Sequence, residues 1–243
     1  MRVTATRGVA TAVMCLAAGA VLSACTGTGT GTGTGSGGGE AELTDQQLLE
    51  KAHTTMDALK TVTIEGSTTA TAGSGFTSRQ TTDLKGTCAY KVTLDQGGSL
   101  EQIRIGDTDY VRPDRAYLEQ WSGKKEAGAK AQERWIKTPV DTSEPGDGLV
   151  DCTWPFSPFG TAVKGKPTEI DGRPAVPLKV TDEEDDKGVY TFYVATEGKP
   201  YLLRVAYKGP DYRSTTTFSK FDEPLDVRPP ADADVLDTSD AGR

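Results

Sequence analysis

Between residues 62 and 221, hydrophobic and polar positions alternate in short runs, and the breaks fall at turn-forming residues. VTIEGSTTAT, starting at Val62, is rich in β-branched and hydroxyl side chains, as half-buried strands are. The runs 76–83, 87–94, 100–105, 109–112 and 116–121 keep the period of two. Gly73-Ser74-Gly75, Lys85-Gly86, Gln96-Gly97-Gly98, Gly106-Asp107 and Pro113-Asp114 separate them, which predicts a meander of antiparallel hairpins. A second meander is predicted over 167–170, 176–181, 189–196, 201–208 and 212–221, with turns at Asp171-Gly172 and 197–200. Strict alternation puts Tyr201, Leu203, Val205 and Tyr207 on one face of YLLRVAYK, and Tyr190, Phe192 and Val194 on one face of VYTFYVAT.

Other segments follow a different pattern. In LTDQQLLEKAHTTMDALKTV, Leu48, Leu49, Ala52, Met56 and Leu59 recur at helical spacing, which predicts a helix of about 16 residues. Thr44 is its N-cap, and Gln47 completes a capping box. His53 lies one position from the apolar stripe and is expected at the solvent edge, with no catalytic role. The stretch 124–134, rich in Ala, Lys and Glu, predicts a second, solvated helix or helical turn that ends at Trp135-Ile136. CTWPFSPFGTAV, 152–163, is apolar but holds two prolines, which predicts a packed irregular segment or a short helix. The Pro- and Asp-rich end, 224–243, reads as a segment along the wall followed by a frayed tail. The sum is a single α+β domain. About ten antiparallel strands form one strongly curved sheet, a half-barrel whose concave face is covered by helices.

The N-terminal residues raise a separate question. Arg2 and Arg7 precede a run of small and apolar residues, 9–24, the layout of a secretory signal. Spanning a bilayer takes about 20 residues, more than this run offers. Two readings stand: an ordinary cleaved signal with Cys25 incidental, or a lipoprotein signal. Leu22-Ser23-Ala24-Cys25 resembles the lipobox of bacterial lipoproteins, in which the cysteine sulfur takes a diacylglycerol and becomes the new N-terminus. There is no twin-arginine pair, so the general secretory route is expected. TGTGTGTGTGSGGG can bury nothing and reads as a flexible tether spanning roughly 20 Å root-mean-square. The boundaries read as 1–24 signal peptide, 25–41 tether, 42–230 folded domain and 231–243 tail.

Removing Arg2 and Arg7 from the 27 basic residues leaves 25 against 35 acidic, a net charge of −10. That balance argues against nucleic acid as a partner and against electrostatic docking on anionic lipid. Mean hydropathy of −0.46 and 35% hydrophobic residues suit a domain that sits in water. Of four cysteines, Cys15 lies in the signal run and Cys25 at the lipobox. Cys88 and Cys152 remain, and in an oxidising compartment a disulfide is the default; a metal or redox pair is the rival.

Catalytic signatures are weak. Ser122 and Lys125 match S-x-x-K, but the accompanying K-T-G and S-D-N are missing. GTAVKGK, 160–166, approaches a P-loop, with Pro167 where the Ser or Thr should be. One histidine leaves no basis for a histidine triad or zinc site. The acidic run 182–186 lacks the ligand spacing of an EF-hand and reads as a solvated hairpin tip. No cofactor, no metal and no enzymatic activity are expected.

The order of elements resembles the LolA/LolB-like lipoprotein-carrier fold, and within it the mycobacterial LppX/LprG-type lipoproteins. The residues carrying the resemblance are the lipobox, the polar tether, the helix before the first strand, and the run DGRPAVPLKV…GVYTFYVATEGKPYLLRVAY…TTFSKFDEPLDVRPP. Within that run the matching positions are Asp171-Gly172, Tyr193-Val194, 198–204 and 218–230. The sequence departs from the pattern in its Cys88/Cys152 pair and in the proline-broken stretch 152–159, where the carriers place roofing helices. The resemblance implies a half-barrel whose concave face can hold acyl chains, each buried CH2 contributing about 0.8 kcal/mol. Candidate cavity residues are Leu49, Met56, Tyr110, Trp121, Trp135, Leu203, Val205 and Tyr207; the competing reading is that these form a closed core.

Three functional classes follow. One is a membrane-anchored carrier or chaperone for a lipid or other hydrophobic ligand. Another is a tethered interaction or sensor module with a solid core and a membrane-protein partner. The third is an enzyme. The expected form is a monomer anchored through Cys25 on the extracytoplasmic face of the cell membrane.

Overall fold

The chain divides into Met1–Glu40 and Ala41–Arg243. The computed structural model describes residues 43–122, 134–142, 148–185 and 187–237, without the side chains of Trp121, Ser122, Thr142 and Asp237.

Helix α1 (Asp45–Asp57) starts as expected, with Thr44 Oγ1 accepting the Gln47 N–H and Gln47 Oε1 accepting the Thr44 N–H. Its stripe of Leu49, Ala52 and Met56 is fully buried. Each of the two larger side chains contributes about 1.5–3 kcal/mol through burial. The first meander comprises β1 (Val62–Ala70), β2 (Gly75–Thr82), β3 (Thr87–Leu94), β4 (Ser99–Ile105) and β5 (Thr108–Pro113). Helix α2 (Arg115–Ser122) follows, where the alternation of 116–121 predicts a strand. The Asp114 carboxylate accepts the Tyr117 N–H at 2.8 Å and its carbonyl the Leu118 N–H, so this residue caps a helix. An Arg115–Glu119 pair then supports the turn.

The helix predicted over 124–134 falls outside the described residues up to Arg134. Trp135 opens a strand, β6 (Trp135–Pro139), rather than ending a helix. The proline-broken stretch is irregular to residue 160 and then supplies β7 (Thr161–Lys164). The second meander holds β8 (Thr168–Ile170), β9 (Arg173–Thr181), β10 (Val189–Ala195), β11 (Leu202–Lys208) and β12 (Tyr212–Ser219). Within the expected tail, a 3-10 turn at Asp232–Asp234 leads into β13 (Val235–Asp237), which pairs in parallel with β6.

All the strands join one open, curved sheet in the order β13-β6-β5-β4-β3-β2-β1-β12-β11-β10-β9-β7, with β8 pairing on β9. Apart from β13 and β6, the pairs are antiparallel. The two meanders meet at β1 and β12, whose register runs from Thr63 opposite Ser219 to Ala70 opposite Tyr212. Helix α1 packs over β7, β10 and β11 and closes the main core with Val62, Ile64, Leu178, Phe192 and Phe218. Its first turn also caps the sheet edge: Asp45 Oδ2 accepts the Lys164 N–H at 2.8 Å and Gln46 Oε1 the Ala162 N–H at 3.3 Å.

His53 is not at the solvent edge. It is 4% exposed, and its ring lies 5.5 Å from that of Phe192. The buried contact with β10 is wider than the four apolar positions of α1 suggest, so the flanking residue is covered too.

Candidate functional site

A strap, residues 148–160, crosses the concave face from β4 to β9. Glycines with positive φ stand at both ends, Gly148 (85°) and Gly160 (64°). A Cβ at Gly148 would strike the Tyr117 hydroxyl and Leu100; at Gly160 it would strike the Thr181 carbonyl.

The first part of the strap is held by polar groups. The Val150 N–H donates to Gln102 Oε1 at 2.9 Å, and Gln102 Nε2 donates back to the Val150 carbonyl at 3.2 Å. Gln80 Nε2 donates to the Asp151 carbonyl at 2.9 Å, and the Thr82 hydroxyl donates to the Cys152 carbonyl. Below them the Arg104 guanidinium makes two bonds to Asp109, at 2.8 and 2.7 Å, and one to Asp151 at 3.0 Å. Cys88 and Cys152 form a disulfide with their Cα atoms 5.3 Å apart. The second part is aromatic: Trp154 and Phe156 pack edge-on to Phe218, and Phe159 packs against Tyr190 and Phe192.

The strand registers show what lies under and beside the strap. One row of concave positions reads Leu100, Val92, Ser78, Gly66, Thr216, Val205, Phe192 and Leu178. The next row toward the turns reads Leu94, Phe76, Thr68, Ser214, Tyr207, Tyr190 and Val180. In both rows large apolar residues flank a centre of glycine and hydroxyls. Gly66, Thr68, Ser78, Ser214 and Thr216 are all only half-buried, although they lie on the middle strands. The middle of the concave face is therefore a shallow trough of small side chains, and the apolar residues on either side of it, among them Leu100, Val92, Phe192, Leu178 and Val180, are buried.

At the turn end the trough opens into a cleft of about 290 Å3, lined by Thr68, Ala70, Phe76, Leu94 and Gln120 among others. Opposite stand Tyr190, Tyr207 and Tyr212, with successive ring centroids 4.7 Å apart. The phenols of Tyr190 and Tyr207 are held in their neutral form. The hydrogen bond from Tyr207 to Asp185 Oδ2, 2.9 Å, pushes the Tyr207 pKa up, and burial with the nearby Asp185 charge raises that of Tyr190.

The eight expected cavity residues separate into groups. Val205 and Tyr207 line the trough. Leu49 and Met56 are fully buried beneath α1 in the packed core. Leu203 does not share their face: a β-bulge opposite Tyr193 and Val194 breaks the alternation, and Leu203 joins a separate cluster with Ile170, Ala175 and Ala195. Tyr110 and Trp135 face the convex side. There the Arg112 guanidinium lies 4.5 Å over the Trp135 ring, and an open cleft of about 300 Å3 is lined by Arg79, Lys91 and Glu101. Those charges pair with one another or with Glu65. The Trp121 side chain, Cys25 and most of the S-x-x-K segment lie outside the described residues. The P-loop-like stretch is strand β7 and an irregular link that leads to β8 rather than to a helix. Among the described residues no cluster of His, Cys, Asp or Glu could hold a metal ion.

Sequence reasoning passed over the trough floor and the buried Gln80, Gln102, Arg104 and Asp109. The signal for the floor was present in GSTTA and STTTF, which put small residues on both faces of strands that should carry core.

A curved antiparallel sheet behind a leading helix, with its concave face partly roofed, is a half-barrel. Two solved mycobacterial structures share this fold. Lipoprotein LppX of Mycobacterium tuberculosis aligns over 76% of this chain and 100% of its own, at 16% identity and a TM-score of 0.50. LprF of Mycobacterium bovis aligns over 77% and 97%, at 12% identity and a TM-score of 0.51. At these identities the likeness is one of fold. No protein-family model matches the sequence, and no curated protein sequence matches it significantly.

Proposed function

We propose that this chain is an extracytoplasmic lipoprotein whose trough binds the apolar part of a lipid or other hydrophobic ligand, as a carrier or chaperone. The observation that carries the reading is the half-exposed floor of Gly66, Thr68, Ser78, Ser214 and Thr216 between apolar flanks. A sheet of this size normally covers its middle strands, and ligand sites favour concave, largely apolar surfaces of this kind. The lipobox supports anchoring through a diacylglyceryl group on Cys25, after removal of 1–24, with 25–41 as tether and 42–230 as the binding domain. In this reading the protein works as a monomer at the outer face of the cell membrane, without cofactor, nucleic acid or catalysis.

One observation favours the second reading, a tethered interaction or sensor module. The strap's polar partners occupy the end of the concave face away from the turns, and its Phe159 covers Tyr190 in the turn-end row, so a ligand has only part of the turn-end half.

Native mass spectrometry of the mature chain, followed by solvent extraction, tests the proposal. A co-purifying lipid near one to one, lost in a variant with a filled trough, is the expected result. A ligand-free mass with no uptake of added phospholipid would leave the interaction module.

A further inference from the structure

Five large apolar side chains are exposed among the described residues: Leu43, Phe76, Trp154, Val163 and Tyr212. Trp154 packs on Phe218 in the concave face. The other four lie in the half of the sheet nearest the turns 71–74, 95–98 and 209–211. Tyr212 stands opposite Ala70 in the last pair of β1 and β12, and Phe76 opposite Leu94 near the ends of β2 and β3. Val163 is opposite Lys179 in the upper part of β9, and 60% of its surface is free. Leu43 precedes α1, whose Asp45 and Gln46 are bonded to the backbone on either side of Val163.

The same end carries an unusual charge pair. Lys208 and Arg213 face each other directly across β11 and β12. Like charges in that position repel, and no carboxylate forms an ion pair with either among the described residues. They border an open cleft of about 410 Å3 with Thr69 and Tyr212. The acidic turn 182–185 stands at the next corner, where Asp185 accepts from Tyr207. Asp211 in the turn 209–211 and Asp95 in the turn 95–98 are also exposed at this end, so the cationic sector is only the Lys208–Arg213 pair of β11 and β12.

We infer that the turn end of the sheet rests on a lipid surface, with Phe76, Tyr212, Val163 and Leu43 entering the headgroup boundary and Lys208 and Arg213 meeting lipid phosphates. Exposed apolar side chains beside uncompensated cations are the composition that interfacial contact selects. The inference rests on the anchored reading above. In the anchored reading the chain enters the fold at Leu43, beside the backbone of β7 that carries Val163. The trough opens at the same end, so a ligand passes between bilayer and trough without crossing water.

The test uses the full mature chain bound to vesicles of phosphatidylglycerol and phosphatidylcholine that carry doxyl-labelled acyl chains. A bimane fluorophore is attached at Ser74→Cys, in the turn 71–74, or at Lys85→Cys, in a turn at the opposite end. Doxyl quenching several-fold stronger at position 74 than at 85 is expected. Phe76→Ser with Tyr212→Ser should remove that difference while the protein still floats with the vesicles and keeps the circular dichroism of the parent. Equal quenching at the two positions, or stronger quenching at 85, overturns the inference. Flotation in high salt reports the anchor separately. A chain that floats but shows equal quenching sinks the docking alone. A chain that is washed off in high salt, yet quenched at position 74 in low salt, sinks the Cys25 anchor alone.

Discussion

Arg104 and Asp109 are paired by two charge-assisted hydrogen bonds across β4 and β5, and their side chains are 7% and 0% exposed. Through its remaining nitrogen Arg104 also reaches Asp151 on the strap. Removing one partner of a buried pair strands the other charge, at a cost of about 3–5 kcal/mol. Asp109→Ala should therefore destabilise the domain strongly. Asp151→Ala, whose carboxylate is 82% exposed, should cost less than about 1 kcal/mol. Urea denaturation of both variants checks the order, and the opposite ranking would refute this account of the strap.

The disulfide closes a loop of 64 residues between β3 and the strap. On the chain-entropy model that constraint is worth roughly 4 kcal/mol, an upper bound in practice. Cys88→Ala with Cys152→Ala should lower the denaturation midpoint accordingly. Both sulfurs are buried, 0% and 2% exposed by residue, so thiol trapping under mild reductant should be slow in the folded protein and fast in urea.

His53 predicts the sign of a pH effect. Burial depresses its pKa; the backbone of Phe156 and the Asp57 carboxylate pull the other way and do not prevail. Neither ring nitrogen has a hydrogen-bond partner among the described residues. The unfolded chain, with an ordinary histidine near pKa 6.5, binds the proton more readily than the folded one. Stability should be full above that value and decline as pH falls below it toward the depressed folded pKa. His53→Leu should flatten this part of the profile and leave stability at neutral pH unchanged or higher. Denaturation curves between about pH 5 and 8 decide it, and an unchanged slope in the variant would exclude His53 as the source.

Filling the trough should separate binding from folding. Thr216 is half-buried on the floor, between Gly66 and Val205. Thr216→Phe should lower lipid uptake on the order of tenfold by occupying apolar ligand space. Its thermal midpoint should stay close to that of the parent. Uptake of a fluorescent fatty-acyl probe, measured beside the melting curve, reads both; unchanged uptake would move the site elsewhere.

Much of the architecture was legible in the sequence because its elements are locally encoded. The box of Thr44 and Gln47, the period-two strands and the glycine turns each depend on neighbours a few residues away. The strand expected at 116–121 failed because A-Y-L-E-Q-W satisfies either period, and the Asp114 cap decided for a helix. The site was less legible. Alternation alone put Leu203 with Val205, and a bulge invisible in the sequence separated them. Tyr110 and Trp135 are aromatic in sequence, but only the pairing of Arg112 with Glu101 fixes their face as the convex one. The trough floor escaped because a search for a hydrophobic cavity weights large side chains, and this floor is made of small ones.

Joining the meanders through β1 and β12 also sets an order of assembly. A chain that appears from its N-terminus has Thr63 in place long before Ser219, so β1 spends that interval as the free margin of a half-built sheet. Pairings between residues so distant in sequence are slow to form. An unsatisfied margin rich in valine or isoleucine would recruit other chains during the wait. GSTTA offers little to recruit with. The residues that leave room for a ligand in the finished protein thus also keep the nascent one from sticking to its neighbours.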